Sequence, residues 1–361
     1  MSWFISRKDI AYISRGAKLL GCGGGGDTKT TQRLLESIMK EDDQINVLQY
    51  EDLTEQVVAT VCFAGSPILY EEQLPRGDEG QMVFQEYQLK TNKKIDAVIS
   101  AEIGGMNALI PLVVALQMGC AVVDGDGMGR AFPEFTMTTF YMHGLPISPL
   151  ILLTRDGKQH LIEGAANDRI VRDNRQLLNM HGGFGHFICC GADANVVKNM
   201  MVSGTLKLAY RLGRAMEQDQ LSAAAGWTAV EDEWENSIYG KPTLLIKGTV
   251  ESVVRTFDQE QIVGELTIIG KQRFIGTTLT VSFHNEFIAV KKEGQYLVMV
   301  PDLIIIVNAK TFLPYTTNEI QRGMSVLIYA IPAPNVLRQK QMIDHVGPQA
   351  YGLDVSYEPF F

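Results

Sequence analysis

The hydrophobic pattern of this chain changes period once, and that change limits the folds open to it. Up to residue 216, short apolar runs (46–48, 57–63, 97–100, 121–123, 150–154) alternate with helix-compatible stretches at 80–91, 108–118, 167–180 and 195–216. Strand, loop and helix in that order imply βαβ units and a largely parallel sheet. Beyond Pro242 come seven strand-like segments, at 244–254, 262–269, 278–283, 287–290, 296–300, 303–307 and 325–329, with almost no helix between them. The expected fold class is α/β, with a mostly parallel-sheet amino-terminal domain over residues 1–216. A connection at 217–241 leads to a β-rich carboxyl-terminal domain over 242–361. The aromatic tail, with Tyr351, Tyr357, Phe360 and Phe361, is expected to dock on that domain for the area it buries.

A chain of 361 residues, 46% hydrophobic and 20% charged, can bury two cores and is not extensively disordered. Its formal charge of −9 disfavours a general nucleic-acid or anionic-membrane binder, which needs concentrated positive charge. No apolar run approaches the length of a spanning helix, and residues 1–15 lack a secretory pattern. Five cysteines, odd in number and without a CxxC pair, argue against a disulfide framework and fit a reducing cytoplasm. The expected partner is a small-molecule substrate; a homo-oligomer remains open.

Chemistry concentrates where the apolar run 120–123 stops. Asp124, Gly125, Asp126, Gly127, Met128, Gly129 and Arg130 follow, then Glu134 after Pro133. Three carboxylates and a guanidinium at a strand end belong to the sheet edge where open α/β proteins bind ligands; an Asp-Gly turn with Arg130 paired locally is the plain alternative. The strand before it ends in a second polar loop with Glu102 and Asn107, placed to face the same cleft, or else to serve as helix-start groups. His143, beside Gly144 in the next loop, is a candidate acid/base or metal ligand, or a simple turn residue.

Upstream, a helical stretch at 9–20 runs into Gly21, Cys22, Gly23, Gly24, Gly25, Gly26 and Asp27, and a helix follows from Thr30. A glycine loop before a helix can cradle an anion with its amides; a hinge or a close backbone crossing are the alternatives. The spacing matches neither a P-loop nor a dinucleotide fingerprint, so no nucleotide is expected. His181, His186, Cys189 and Cys190 do not have zinc-knuckle spacing and read better as a glycine-rich strand with two buried thiols.

Taken together, the runs 20–27, 102–107, 123–134, 300–304 and 347–352 resemble the S-methyl thiohydantoin desulfurase family over nearly the whole chain. The resemblance implies an α/β and a β-rich domain, and hydrolytic loss of methanethiol from an S-methylated thiohydantoin. The chain departs from the family pattern at Asp27, Thr28, Lys29, where the family has Asp-Pro and a later glycine. On this reading Asp124 or Asp126 is the base, Glu134 or His143 the proton donor, Arg130 a clamp for a substrate carboxylate or an aspartate, and Gly23 to Gly26 with Asp27, Glu102 and Asn107 the ligand-binding set. Cys22 is an alternative nucleophile, and a divalent metal at Asp124, Asp126 and His143 an alternative way to activate water. A non-catalytic ligand-binding or regulatory subunit of a hydantoin-utilisation system is the second functional reading.

Overall fold

The computed structural model describes residues 3–73, 75–164, 166–221, 227–258 and 261–361. Its first part runs β1 (Trp3–Ile5), α1 (Ile10–Leu20), α2 (Lys29–Ile38), β2 (Ile45–Leu48), β3 (Val57–Gly65), α3 (Pro67–Glu72), α4 (Glu79–Thr91), β4 (Ala97–Ser100), α5 (Ile110–Met118) and β5 (Ala121–Asp126). It continues with α6 (Thr139–Met142), β6 (Leu150–Thr154), β7 (Gln159–Ile162), α7 (Asn167–Met180), β8 (Phe184–Asp193), α8 (Ala194–Lys198), β9 (Val202–Ser203), α9 (Thr205–Leu221) and α10 (Thr228–Glu235).

Among the described residues these strands form one sheet in the order β1-β2-β5-β4-β3-β8-β6-β7, with β9 on β5. The pairs β2–β5, β5–β4 and β4–β3 are parallel, so the carboxyl ends of the central strands share one edge. Parallel pairing stops there. β8 returns antiparallel on β3, and β6 and β7 complete an antiparallel flank. The central strands are buried on both faces, as near-continuous apolar sequence requires.

The second part is an antiparallel sheet of β10 (Thr243–Asp258), β11 (Gln261–Gly270), β12 (Thr278–His284), β13 (Glu286–Lys292), β14 (Gln295–Met299), β15 (Leu303–Asn308) and β16 (Ser325–Ile331), in the order β14-β13-β12-β11-β10-β16-β15. Period-2 alternation in the sequence is what places these strands within a residue or a few of where they form. After them, α11 (Lys340–Val346) leads to the tail, where Tyr351 and Phe360 are partly covered while Phe361 stays 45% exposed.

Two segments differ from the pattern reading. The helix expected over 195–216 is broken into α8 and α9 by a turn at 199–204, where Gly204 takes a positive φ and its amide donates to the Asp124 carbonyl. A periodicity average spans such a break because Val202 and Ser203 fit either state. Within 217–241, the stretch expected to be a bare connection, lies α10, flanked by buried Trp227 and containing buried Val230 and Trp234. Trp227 packs against Tyr329 of β16, with ring centroids 4.6 Å apart, so this segment ties the two sheets together.

Helices α1 and α9 approach backbone to backbone. A Cβ on Gly16 would overlap the Ala209 carbonyl, and one on Gly213 would overlap that of Tyr12. This contact fixes the distance between the glycine loop that ends α1 and the aspartates at the start of α9.

Candidate functional site

Five loops meet where the carboxyl edge of the first sheet faces the second. The glycine loop is held by its carbonyls. Leu20 O accepts from Ala131 N, Cys22 O from Phe287 N, Gly23 O from Thr317 N and Gly25 O from Met106 N, at 2.8–3.2 Å. The glycines are demanded by proximity. At Gly25, which has φ 72°, a side chain would run into the Gly104 backbone, and at Gly24 it would take the place of the Glu286 carboxyl. The loop is therefore a close crossing, and the acid lying in it is Glu286 of β13.

Asp126 is fully buried, and its carboxylate gathers backbone. Oδ2 accepts from Ile103 N (2.9 Å), Met128 N (2.9 Å) and Gly129 N (2.7 Å), and Oδ1 from Thr205 Oγ1 (2.8 Å). Asp124 Oδ1 accepts from Lys207 N (2.9 Å), which caps the start of α9. Burial raises both pKa values, to about 7 for Asp126 and about 6 for Asp124, against the opposing pull of these hydrogen bonds. Instead of opening to a cleft, the two aspartates face the first turn of α9. Sequence reasoning missed this because it placed Thr205 and Lys207 mid-helix, where no amide is free to be capped.

Arg130 is also fully buried, and it spans the two sheets. Nε donates to Ala131 O (3.2 Å), Nη1 to Pro301 O (3.4 Å) and Asp302 O (3.0 Å), and Nη2 to Phe287 O (3.2 Å), with the guanidinium 5.0 Å from the centre of the Phe132 ring. Its donors go to backbone carbonyls, and not to an aspartate or an open clamp. Asp302, the acid of the 300–304 run, accepts from Ala333 N (2.8 Å) and Phe360 N (3.4 Å), so it anchors the tail.

At this junction Glu102 and Glu286 each have an oxygen to spare. Glu102 Oε1 accepts from Asn107 Nδ2 (2.7 Å), while Oε2 of Glu102 and Oε2 of Glu286 are buried with no hydrogen-bond partner among the described residues. Asn107 is a brace, donating also to Phe63 O (3.0 Å) and accepting from Phe63 N (2.7 Å). Burial pushes both glutamates up to about 8. Asn107 draws Glu102 back down, the charge of Glu102 lifts Glu286 further, and Arg130 lowers it. Both carboxyls are thus shifted toward their neutral forms, and of the two it is Glu286 that Arg130 faces.

Tyr351, from the tail, completes the wall. Its hydroxyl is 3.7 Å from Met137 Sδ, its ring meets His284 edge-on at 5.6 Å, and burial followed by the charge of Glu286 raises its pKa well above the ordinary value. Tyr239 OH donates to Gly129 O on the far side. Cys22 is buried, and desolvation lifts its thiol to about 11, the opposite of an activated thiolate.

The remaining candidates have other surroundings, although the charge of Glu134, like that of Glu286, acts on Tyr351. Glu134 is ion-paired with Arg175 at 2.6 Å, and His143 is exposed at the end of α6. Asp27 sits at the half-exposed rim, 3.6 Å from Lys29 Nζ and 3.9 Å from Lys18 Nζ. Among the described residues no three His, Cys, Asp or Glu side chains come together in a metal-holding group, and Asp124, Asp126 and His143 are not brought together. No helix of the described residues is long and apolar enough to cross a membrane. The sequence reading singled out Glu102 and passed over Glu286, which stands in a polar His-Asn-Glu trio between two strand-like segments. Nothing local marks it.

Family models described as S-Me-THD-like, N-terminal domain, and S-Me-THD-like, C-terminal domain, match residues 8–164 and 165–360. No curated protein matches the chain. Among solved structures, the X-ray crystal structure of a protein from Chromobacterium violaceum superposes with a TM-score of 0.82 at 20% identity, over 99% of this chain and 100% of that one. At that identity the likeness carries the fold.

Proposed function

The chain belongs to the S-Me-THD-like family, and from that premise we propose that it is a hydrolase that removes a thiol from an S-alkylated cyclic amide such as an S-methyl thiohydantoin. The observation that carries the reading is convergence. The runs 20–27, 102–107, 123–134, 300–304 and 347–352 meet around two buried carboxyls, each with an oxygen left unpartnered.

Hydrolysis at the carbon bearing sulfur needs a base for water and an acid for the leaving side. A carboxyl pair sharing one proton supplies both. The ionised member takes a proton as the water oxygen bonds to carbon, and the neutral member protonates the ring nitrogen. As the C–S bond breaks and the carbonyl forms, the hydroxyl proton passes to sulfur, so one water enters and one thiol leaves. In this scheme Glu102 and Glu286 carry the chemistry, the half-exposed rim at Gly24–Asp27 admits substrate, and Asp124, Asp126 and Arg130 hold the frame.

The test is thiol release from an S-methyl thiohydantoin by the purified full chain. Glu102→Gln and Glu286→Gln are each expected to lower turnover by roughly two to four powers of ten, with folded protein by circular dichroism, while His143→Ala matches wild type. Saturable binding of the compound without thiol release would replace this reading with that of a non-catalytic ligand-binding subunit.

A further inference from the structure

On the other side of Phe63 from the carboxyl pair is a cavity of about 40 Å³ lined by Gln73, Arg76, Glu79, Arg155, Phe184 and His186, among others. A water needs roughly 10–15 Å³ of such space, so about three heavy atoms fit. His186, on β8 opposite Phe63, is 4% exposed. Its ring meets Phe63 and Tyr70 edge-on at 5.6 and 5.8 Å, and among the described residues its nitrogens have no hydrogen-bond partner.

The charges around it are unevenly satisfied. Glu79 already accepts from Arg76 N and Gly77 N, each at 2.8 Å, and Arg76 pairs with Asp78 at 2.9 Å. Arg155 donates through Nε to Gln73 Oε1 and lies 5.7 Å from the centre of the Phe184 ring, with no ion pair among the described residues. What the cavity lacks is an acceptor: its acid is occupied, whereas a buried imidazole and the outer edge of a guanidinium are not.

We propose that this cavity is a binding site for the carboxylate of a small molecule, held by the terminal N–H groups of Arg155 and by the His186 ring. A planar three-atom group matches both the volume and the fork of an arginine. The charged or titratable groups facing the ring are Glu79 of α4, Arg76 just before it, Arg155 of the β6–β7 turn and Tyr70 of α3. Burial lowers the His186 pKa and Glu79 opposes it. A bound anion favours the imidazolium, so binding strengthens as pH falls toward and below the ordinary imidazole value of about 6.5.

The experiment is an NMR titration of the full chain with sodium acetate at constant ionic strength, reading the histidine ring signals, with those of His186 identified by their loss in His186→Asn. A saturable shift of the His186 signals is expected, tighter at the lower pH, and weakened about tenfold in Arg155→Ala. Arg155 is exposed, so that variant keeps the fold. No saturable shift, or unchanged acetate binding in Arg155→Ala, overturns the site; inorganic phosphate binding as tightly as acetate overturns the carboxylate assignment. The thiol-release assay is independent of this titration, so either reading can fail alone.

Discussion

Asp126 and Glu102 are both buried acids, yet their oxygens face different tasks. Asp126 meets four donors; Asn keeps one neutral oxygen for the three backbone amides, loses the charge that strengthens those bonds, and turns its NH₂ toward the Thr205 hydroxyl, which must reverse to accept. Asp126→Asn is therefore expected to cost about 2–4 kcal/mol. Asp124→Asn, which can still accept from Lys207 N, should cost less than about 1 kcal/mol; urea unfolding of the two variants gives the comparison. Near-wild-type stability in Asp126→Asn would contradict the anchoring role. The glutamates carry a pH signature of definite sign. Their folded pKa values, raised from 4.5 to about 8, mean that the neutral forms stabilise the fold. That contribution is complete below the unfolded value and is lost as pH rises through about 8. The urea midpoint should therefore fall between about pH 5 and pH 9, and Glu286→Gln should flatten the fall; a midpoint that rises over that range would refute it. At this scale the sequence made Asp124, Asp126, Glu102 and Arg130 visible as unusual, because charges beside apolar strands stand out. Which of them hold backbone and which have spare oxygens depends on contacts across 79 residues for Asp126 and 157 for Arg130, and no local pattern encodes those.

Strands of the second sheet were legible because alternation of inward and outward side chains is a local property. The parallel centre of the first sheet was legible for a related reason, since β3, α4, β4, α5 and β5 follow one another in chain order and in space. The antiparallel return of β8 onto β3 was not, because a register between distant segments leaves no periodic trace. Helix α9 shows how an element conveys position. It starts on the two aspartates and crosses α1 through Gly213 and Gly16, and α1 ends in the glycine loop. Gly213→Ala pushes a methyl onto the Tyr12 carbonyl and is expected to cost about 1–3 kcal/mol in urea unfolding. If the site depends on this spacing, the same variant should also lower thiol release while leaving acetate binding at His186 unchanged.

The two sheets share their buried charges, so the molecule should unfold as one. Arg130 reaches from the β5 loop to carbonyls of residues 287, 301 and 302, and Trp227 rests on β16. Tryptophan fluorescence and far-UV circular dichroism are expected to give coincident urea transitions. A chain cut back to residues 1–241 should not fold, because Arg130 would lose those acceptors and remain charged in an apolar setting. Two separated transitions, or a stable 1–241 fragment, would show the halves to be independent. The family models divide the chain at residue 164, between β7 and β8, although both belong to one sheet. Glu286 fills the place a side chain on Gly24 would need, so each half carries a mould whose cast lies in the other. A recombinant gene joining halves from two diverged relatives would inherit two sound sequences and a mismatched junction.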